Sequence, residues 1–149
     1  MFARDLEPYR HGVPIQLQDV FSIGWLSRNA DYPKGDSPLE FVQRLEQALS
    51  SHRVNKTRGY HICEFCSKSP LTYTLGSGKT IILGSAEIWV PSLDKSMIYA
   101  APDLVYHYVT EHRYLPPEGF FRAVMNASES QEWDSNSECE KRMEAAFRG

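Results

Sequence analysis

Two cysteines stand two residues apart in the stretch GYHICEFC, residues 59–66, and two histidines close the stretch HYVTEH, residues 107–112. Cys63-x2-Cys66 followed by His107-x4-His112 fits the ligand pattern of tetrahedral zinc sites, in which a cysteine pair precedes a spaced histidine pair. A shared metal would pull two distant parts of the chain onto one point, so this feature constrains the fold more than any other. Thiolate and imidazole donors favour Zn2+ over magnesium or calcium, which take oxygen ligands. The interval between the pairs far exceeds the loop of a DNA-reading finger. It fits a treble-clef-like order: a CxxC turn, a β-hairpin, then a helix that brings the last ligands.

Helix geometry leaves the histidines open. At 100° per residue, His107 and His112 point about 140° apart on a regular helix. His112 shares a face with Leu104, Tyr108 and Val109, which directs it coreward, and His107 lies nearer the edge of that stripe. His61 is the alternative ligand, because in an extended segment it points the same way as Cys63. Any four of the five residues complete a tetrahedron, with Cys63 and Cys66 as the fixed part. Four protein ligands close a zinc site, whereas three leave a position for water. The number of candidates favours a closed, structural centre. A catalytic zinc would need a base, for which Glu64 and Glu111 are the candidates. The H-E-x-x-H and H-x-E…P-C-x-x-C signatures of zinc enzymes are absent.

Residues 1–18 are rich in charge and turn formers and read as a loosely ordered N-terminal arm. Residues 19–127 read as the zinc-binding domain. DVFSIGWLS, residues 19–27, suits a strand or buried extended segment. Ser37, Pro38 and Glu40 suggest the cap and first turn of a helix, carried on by Phe41, Val42, Leu45, Ala48 and Leu49. SKSPLTYTLGSGK, residues 67–79, reads as a long polar connection. TIILG, SAEIWVP and MIYAA then suggest strands. Helices are expected from Pro102 and from about Pro117. Residues 128–149 form a polar tail, peripheral to the core, with a short helix capped by Ser137 and Glu140. The fold class is therefore α+β: a small antiparallel sheet with a zinc knuckle and about three helices.

GSGKT, residues 76–80, resembles the end of a phosphate-binding loop, but Tyr73 occupies the position of the required first glycine and a strand follows instead of a helix. A glycine hairpin is the better reading. Tyr106, Tyr114 and Trp133 are candidates for an interaction surface, Trp133 for a contact with another subunit. The net charge of −3 argues against nucleic acid as main partner and is compatible with a basic protein. Arg53, Lys56 and Arg58 are the only local basic group near the knuckle. No apolar run reaches the length of about 18 residues that spans a bilayer, and the N-terminus lacks the apolar core of a signal peptide. A cytoplasmic protein is expected. In that reducing setting a CxxC pair is more often metal-binding or redox-active than a structural disulfide.

IGWL, GYHICEFC and IYAAPDLVYHYVTEHRYLPPEGF together resemble a family of small uncharacterised bacterial proteins, a domain of unknown function. The features that carry the resemblance are His61, Cys63, Cys66, Tyr99, Ala101, Pro102, His107, His112, Pro116 and Pro117. It spans roughly residues 20–125 and implies no activity. Residues 67–83 and the C-terminal tail exceed its pattern. The functional expectation is a protein-interaction module with a structural zinc, of an immunity or accessory kind. A zinc-dependent hydrolase is the first alternative and a nucleic-acid-binding zinc module the second.

Overall fold

The computed structural model describes residues 2–9, 17, 19–54, 61–66, 71–127 and 134–148. Short extended segments and helices alternate in it as β1 (Val20–Ser22), α1 (Leu39–Ser51), β2 (Arg53–Val54), β3 (Leu71–Thr74), β4 (Thr80–Leu83), β5 (Glu87–Pro91), β6 (Ile98–Pro102), α2 (Val105–Glu111), α3 (Glu118–Ala127) and α4 (Ser135–Arg148). The class is α+β, as expected, with four helices among the described residues. One sheet has the order β1-β6-β5-β2, and β3 and β4 form a separate hairpin.

The main sheet is mixed and not antiparallel throughout. β5 pairs antiparallel with β6 and with β2, but β1 runs parallel to β6, with Val20 opposite Ile98 and Ser22 opposite Ala100. A parallel partner has to return by a long crossover, and here α1, the knuckle and the hairpin all lie in that crossover. After β1 the chain stays buried through Leu26, turning at Gly24 with a φ of 73°. There the Trp25 indole N–H donates to the Ala100 carbonyl at 3.0 Å.

Both faces of this sheet are covered. Ile88, Val90, Tyr99 and Ala101 face α1 and α3, where they meet Phe41, Leu45, Phe120 and Val124. Alternate residues Trp89, Ile98 and Ala100 face the other way, onto Tyr9, Leu17 and Cys139. The two-residue alternation of a strand thus feeds two separate cores. α1 begins one residue later than the capping pattern suggests. Pro38 is extended at the N-cap, its carbonyl accepts the Val42 N–H at 3.2 Å, and no side chain caps the helix.

Described residues of both terminal segments pack on the sheet. Residues 6–9 pair with the free edge of β1: the Leu6 N–H donates to the Ser22 carbonyl, Tyr9 to Val20, and Ser22 back to Glu7. Tyr9 is fully buried and packs edge-on against Trp89 with ring centroids 5.4 Å apart. Its hydroxyl and the Trp89 indole N–H both donate to the Glu87 carboxylate. The expectation of a loosely ordered arm is therefore corrected for these residues. Residues 10–16 lie outside those described.

α4 is likewise a full helix docked on β2 and β5. Its cap is Asp134, whose carboxylate accepts the Ser137 N–H at 3.2 Å; Ser137, expected as the cap, is already inside the helix. The buried Ser135 hydroxyl donates to the Trp89 carbonyl at 2.7 Å and lies 3.0 Å from His52 Nδ1. Ser135→Ala removes both bonds at a dry interface. We expect it to destabilise the fold by about 1–3 kcal/mol in urea titrations; a loss below about 0.3 kcal/mol would show that α4 is docked by apolar contacts alone.

Candidate metal centre

The knuckle occupies residues 61–66. Its turn is held from within, because the Phe65 N–H donates to Cys63 Sγ at 3.4 Å. Glu64 anchors it from outside: one carboxylate oxygen accepts from the Ser27 hydroxyl and from the Arg28 N–H, each at 3.2 Å. The Phe65 ring packs against Tyr32, Tyr108 and His112. Cys63 is buried and Cys66 half-buried.

The other half comes from the end of α2. His107 lies within the helix and is buried, while His112 is the C-cap, with φ −123° and ψ 13°. This departure from helical geometry lets the two rings meet despite a spacing of five. Arg113 then takes a left-handed φ of 52°, and the Tyr114 N–H returns to the Tyr108 carbonyl. Residues 32–36 fasten this exit: the Tyr32 hydroxyl donates to the His112 carbonyl at 2.9 Å and the Gly35 N–H to the Arg113 carbonyl. The side-chain assignment is the reverse of the face expected from the sequence, His107 being the buried ring and His112 the half-buried one.

Four ligand atoms converge. The donor atoms of Cys63, Cys66, His107 and His112 all lie within 4.8 Å of one another. Cys63 Sγ is 3.4 Å from His112 Nε2, Cys66 Sγ is 3.4 Å from His107 Nε2, and the two Nε2 atoms are 3.1 Å apart. Zinc bonds of about 2.3 Å to sulfur and 2.05 Å to nitrogen give a tetrahedron with edges of about 3.6 Å (S to N) and 3.3 Å (N to N). These three edges fall within a few tenths of an ångström of that figure, and the remaining pairs lie within 4.8 Å. Among the described residues this is the group of cysteine, histidine and acidic side chains placed to hold an ion.

The electrostatics suit a metal better than free thiols. Burial pushes the Cys63 thiol up to about 11, against the opposing Phe65 N–H, so without an ion the sulfur keeps its proton at neutral pH. Burial also lowers the His112 ring below its ordinary value, opposed by Glu111, which favours the neutral form that binds metal. Metal binding therefore has to expel the Cys63 proton. The apparent affinity is expected to rise at least tenfold per pH unit across the neutral range. Titration calorimetry in buffers of different ionisation enthalpy measures the protons released; a pH-independent affinity would show that the thiol is already ionised.

The model of a family described as a domain of unknown function, DUF7919, matches residues 1–125. The chain belongs to this family. The match takes in the N-terminal segment as well as the centre, so the family domain begins before the residue near 20 suggested by the motifs, and α4 falls beyond it. No curated protein and no solved structure matches the chain.

Other residues singled out in the sequence fall elsewhere. His61 is exposed and is not a member of the four-residue group. Tyr114 is fully buried, its hydroxyl donating to Asp5 Oδ2 at 2.8 Å, so it is part of the core and not of an interaction surface. Tyr106 is half-buried, packs against Tyr73, and donates to its hydroxyl at 3.0 Å. Trp133 lies outside the described residues. GSGKT forms the expected hairpin turn: β3 pairs with β4, and Gly78 takes a φ of 91°. Asp5, Tyr32, Gly84 and Asp103 carry no motif signal, yet they hold the segments that bear the four candidate ligands. Asp103 was visible only as the start of a helix. Its buried carboxylate instead accepts the Gly84 N–H at 2.6 Å and lies 3.3 Å from the Arg53 guanidinium. That second contact is an ion pair without hydrogen-bond alignment. Burial pushes the Asp103 carboxyl up to about 6, against Gly84 and Arg53, which pull it down.

Proposed function

We propose that Cys63, Cys66, His107 and His112 hold Zn2+ in a closed structural centre, and that the domain acts by binding another protein. The observation that carries the first part is the convergence of two sulfur and two nitrogen donors within 4.8 Å of one another, three of the pairs at 3.1–3.4 Å. The donor set of two sulfurs and two nitrogens suits zinc over oxygen-seeking ions. Two thiolates neutralise the ion's charge, so it can sit in a half-buried site without a further counter-ion.

A closed shell leaves no position for substrate or activated water, which speaks against the hydrolase. Glu64, one candidate base, is held by Ser27 and Arg28. The nucleic-acid reading loses Arg53, whose guanidinium pairs with buried Asp103; Lys56 and Arg58 lie outside the described residues. What is left is a mildly acidic domain that presents surface and no chemistry. Occupying a basic partner in the cytoplasm, in an accessory or immunity role without turnover, fits that character. No helix among the described residues is long and apolar enough to cross a membrane.

Cobalt(II) substitution tests the closed shell. The cobalt-loaded protein is expected to show the intense ligand-field bands of a four-coordinate site, unmoved by added azide or acetate. Bands that shift with azide would reveal an open position and restore the enzyme reading. For the binding role, the zinc-loaded chain should retain a partner in a salt-sensitive complex, and the Cys63→Ser chain should not; equal retention by both would separate binding from the centre.

A further inference from the structure

The two halves of the centre are joined by a relay of two hydrogen bonds, one to a side chain and one between backbones, that bypasses the ligands. Asp103 stands four residues before His107, in the turn that leads into α2. Its Oδ1 accepts the Gly84 N–H at 2.6 Å. The Gly84 carbonyl in turn accepts the His61 N–H at 2.8 Å, two residues before Cys63. Among the described residues this last bond is the backbone–backbone link from residues 61–66 to another segment. Gly84 has no room for a side chain: its φ is 102°, and a Cβ there would run into the His61 carbonyl.

We propose that Asp103 is a positioning residue of the metal centre, setting the separation of the knuckle from α2 through Gly84 and so holding the four donor residues in register around the ion. This rests on the zinc reading above. Three observations support it. Asp103 is fully buried, and an acid is kept there with its Oδ1 on the Gly84 N–H and its Oδ2 beside Arg53. Its two oxygens have divided roles, Oδ1 toward Gly84 and Oδ2 toward Arg53, so the relay and the ion pair can be separated by substitution. Gly84 combines a positive φ with a contact that excludes every other residue, which fixes the distance between the two backbones. Groups that orient metal ligands without touching the ion typically change metal affinity by roughly 10–100-fold.

Asp103→Asn keeps an acceptor for Gly84 and loses the charge opposite Arg53; Asp103→Ala loses both. Gly84→Ala breaks the next link and leaves Asp103 intact. Ser135→Ala, which loosens α4 away from the centre, is the control for general destabilisation. Zinc affinity by chelator competition and the cobalt(II) spectrum at saturating metal are the readouts. We expect Asp103→Ala and Gly84→Ala to lose roughly tenfold or more in zinc affinity beyond that of Ser135→Ala, and to shift the cobalt bands. Asp103→Asn should stay within about threefold of the parent with an unshifted spectrum. The proposal is overturned if Gly84→Ala and Asp103→Ala keep the parent spectrum and lose no more affinity than the control. It is overturned equally if Asp103→Asn loses as much as Asp103→Ala, because the ion pair and not the relay would then be responsible. Should the alanine variants fail to fold with saturating zinc, Asp103→Asn is compared with the parent: affinity within about threefold supports the relay, and a loss of roughly tenfold or more overturns it. A parent protein that binds no zinc is a different result, and refutes the centre itself.

Discussion

Cys63→Ser is expected to abolish stoichiometric zinc binding and to leave the domain unfolded or without fixed tertiary packing at 25 °C. The ligands come from two segments separated by β3, β4, β5 and β6, and an ion that joins them contributes its binding energy to folding. Structural zinc is worth about 10–16 kcal/mol in small zinc-binding peptides, against a net stability of about 5–15 kcal/mol for a typical domain. Serine keeps the size of the side chain and removes the thiolate. Circular dichroism and elemental analysis of the purified variant check both effects. Cys139→Ser is the matched control. Cys139 is buried in the second core beside Met143 and outside the ligand group, so it should keep one equivalent of metal. A Cys63→Ser protein as stable as its parent would show that the sheet and helices need no metal.

Trp89→Ala should cost about 3–5 kcal/mol, near the upper end for a single core truncation. Trp89 is fully buried and lies where three elements meet. Its ring packs on Tyr9 from the N-terminal segment, its indole N–H donates to Glu87, and its carbonyl accepts from Ser135 of α4. Alanine opens a cavity beneath Tyr9 and leaves one Glu87 bond unmade, while the backbone bond to Ser135 survives. The loss should appear as a fall in the urea midpoint. If instead the variant lost less than about 1 kcal/mol, the second face of the sheet could not be a packed core.

The same residue shows where the sequence was hard to read. The alternation of Ile88 and Val90 with Glu87 and Trp89 suggested one core face, and that face exists against α1 and α3. The other face is covered by chain ends whose composition is mostly polar. Among the described residues, Ala3, Tyr9 and Leu17 at one end, and Cys139 and Met143 at the other, carry the apolar contact. Such sparse apolar residues give no periodic signal, and their partners lie far away in sequence. The parallel pairing of β1 with β6 was illegible for a related reason: a three-residue strand has no local mark of its direction. β3 was hidden because LTYT reads as polar loop, although its pairing with β4 buries Ile81 and Leu83 on one side.

The ligand set was more legible, because cysteine and histidine at these spacings have few uses. The four candidates come together in space. The choice between His61 and the helix pair could not be made from a regular helix, on which His107 and His112 diverge. It depends on the helix stopping at Glu111, on the left-handed Arg113, and on Tyr32 and Gly35 pinning that turn from a distant loop. Asp103 and Gly84 were obscure in the same way, because each acts through a backbone contact with a segment remote in sequence.

Zinc-edge X-ray absorption on protein purified without added metal, paired with elemental analysis, decides whether the four residues form a closed zinc centre. One zinc per chain, with two sulfurs at about 2.3 Å, two nitrogens at about 2.0–2.1 Å and no oxygen, is the expected result. A bound oxygen in place of one protein ligand, or protein that is folded and free of metal, would contradict it.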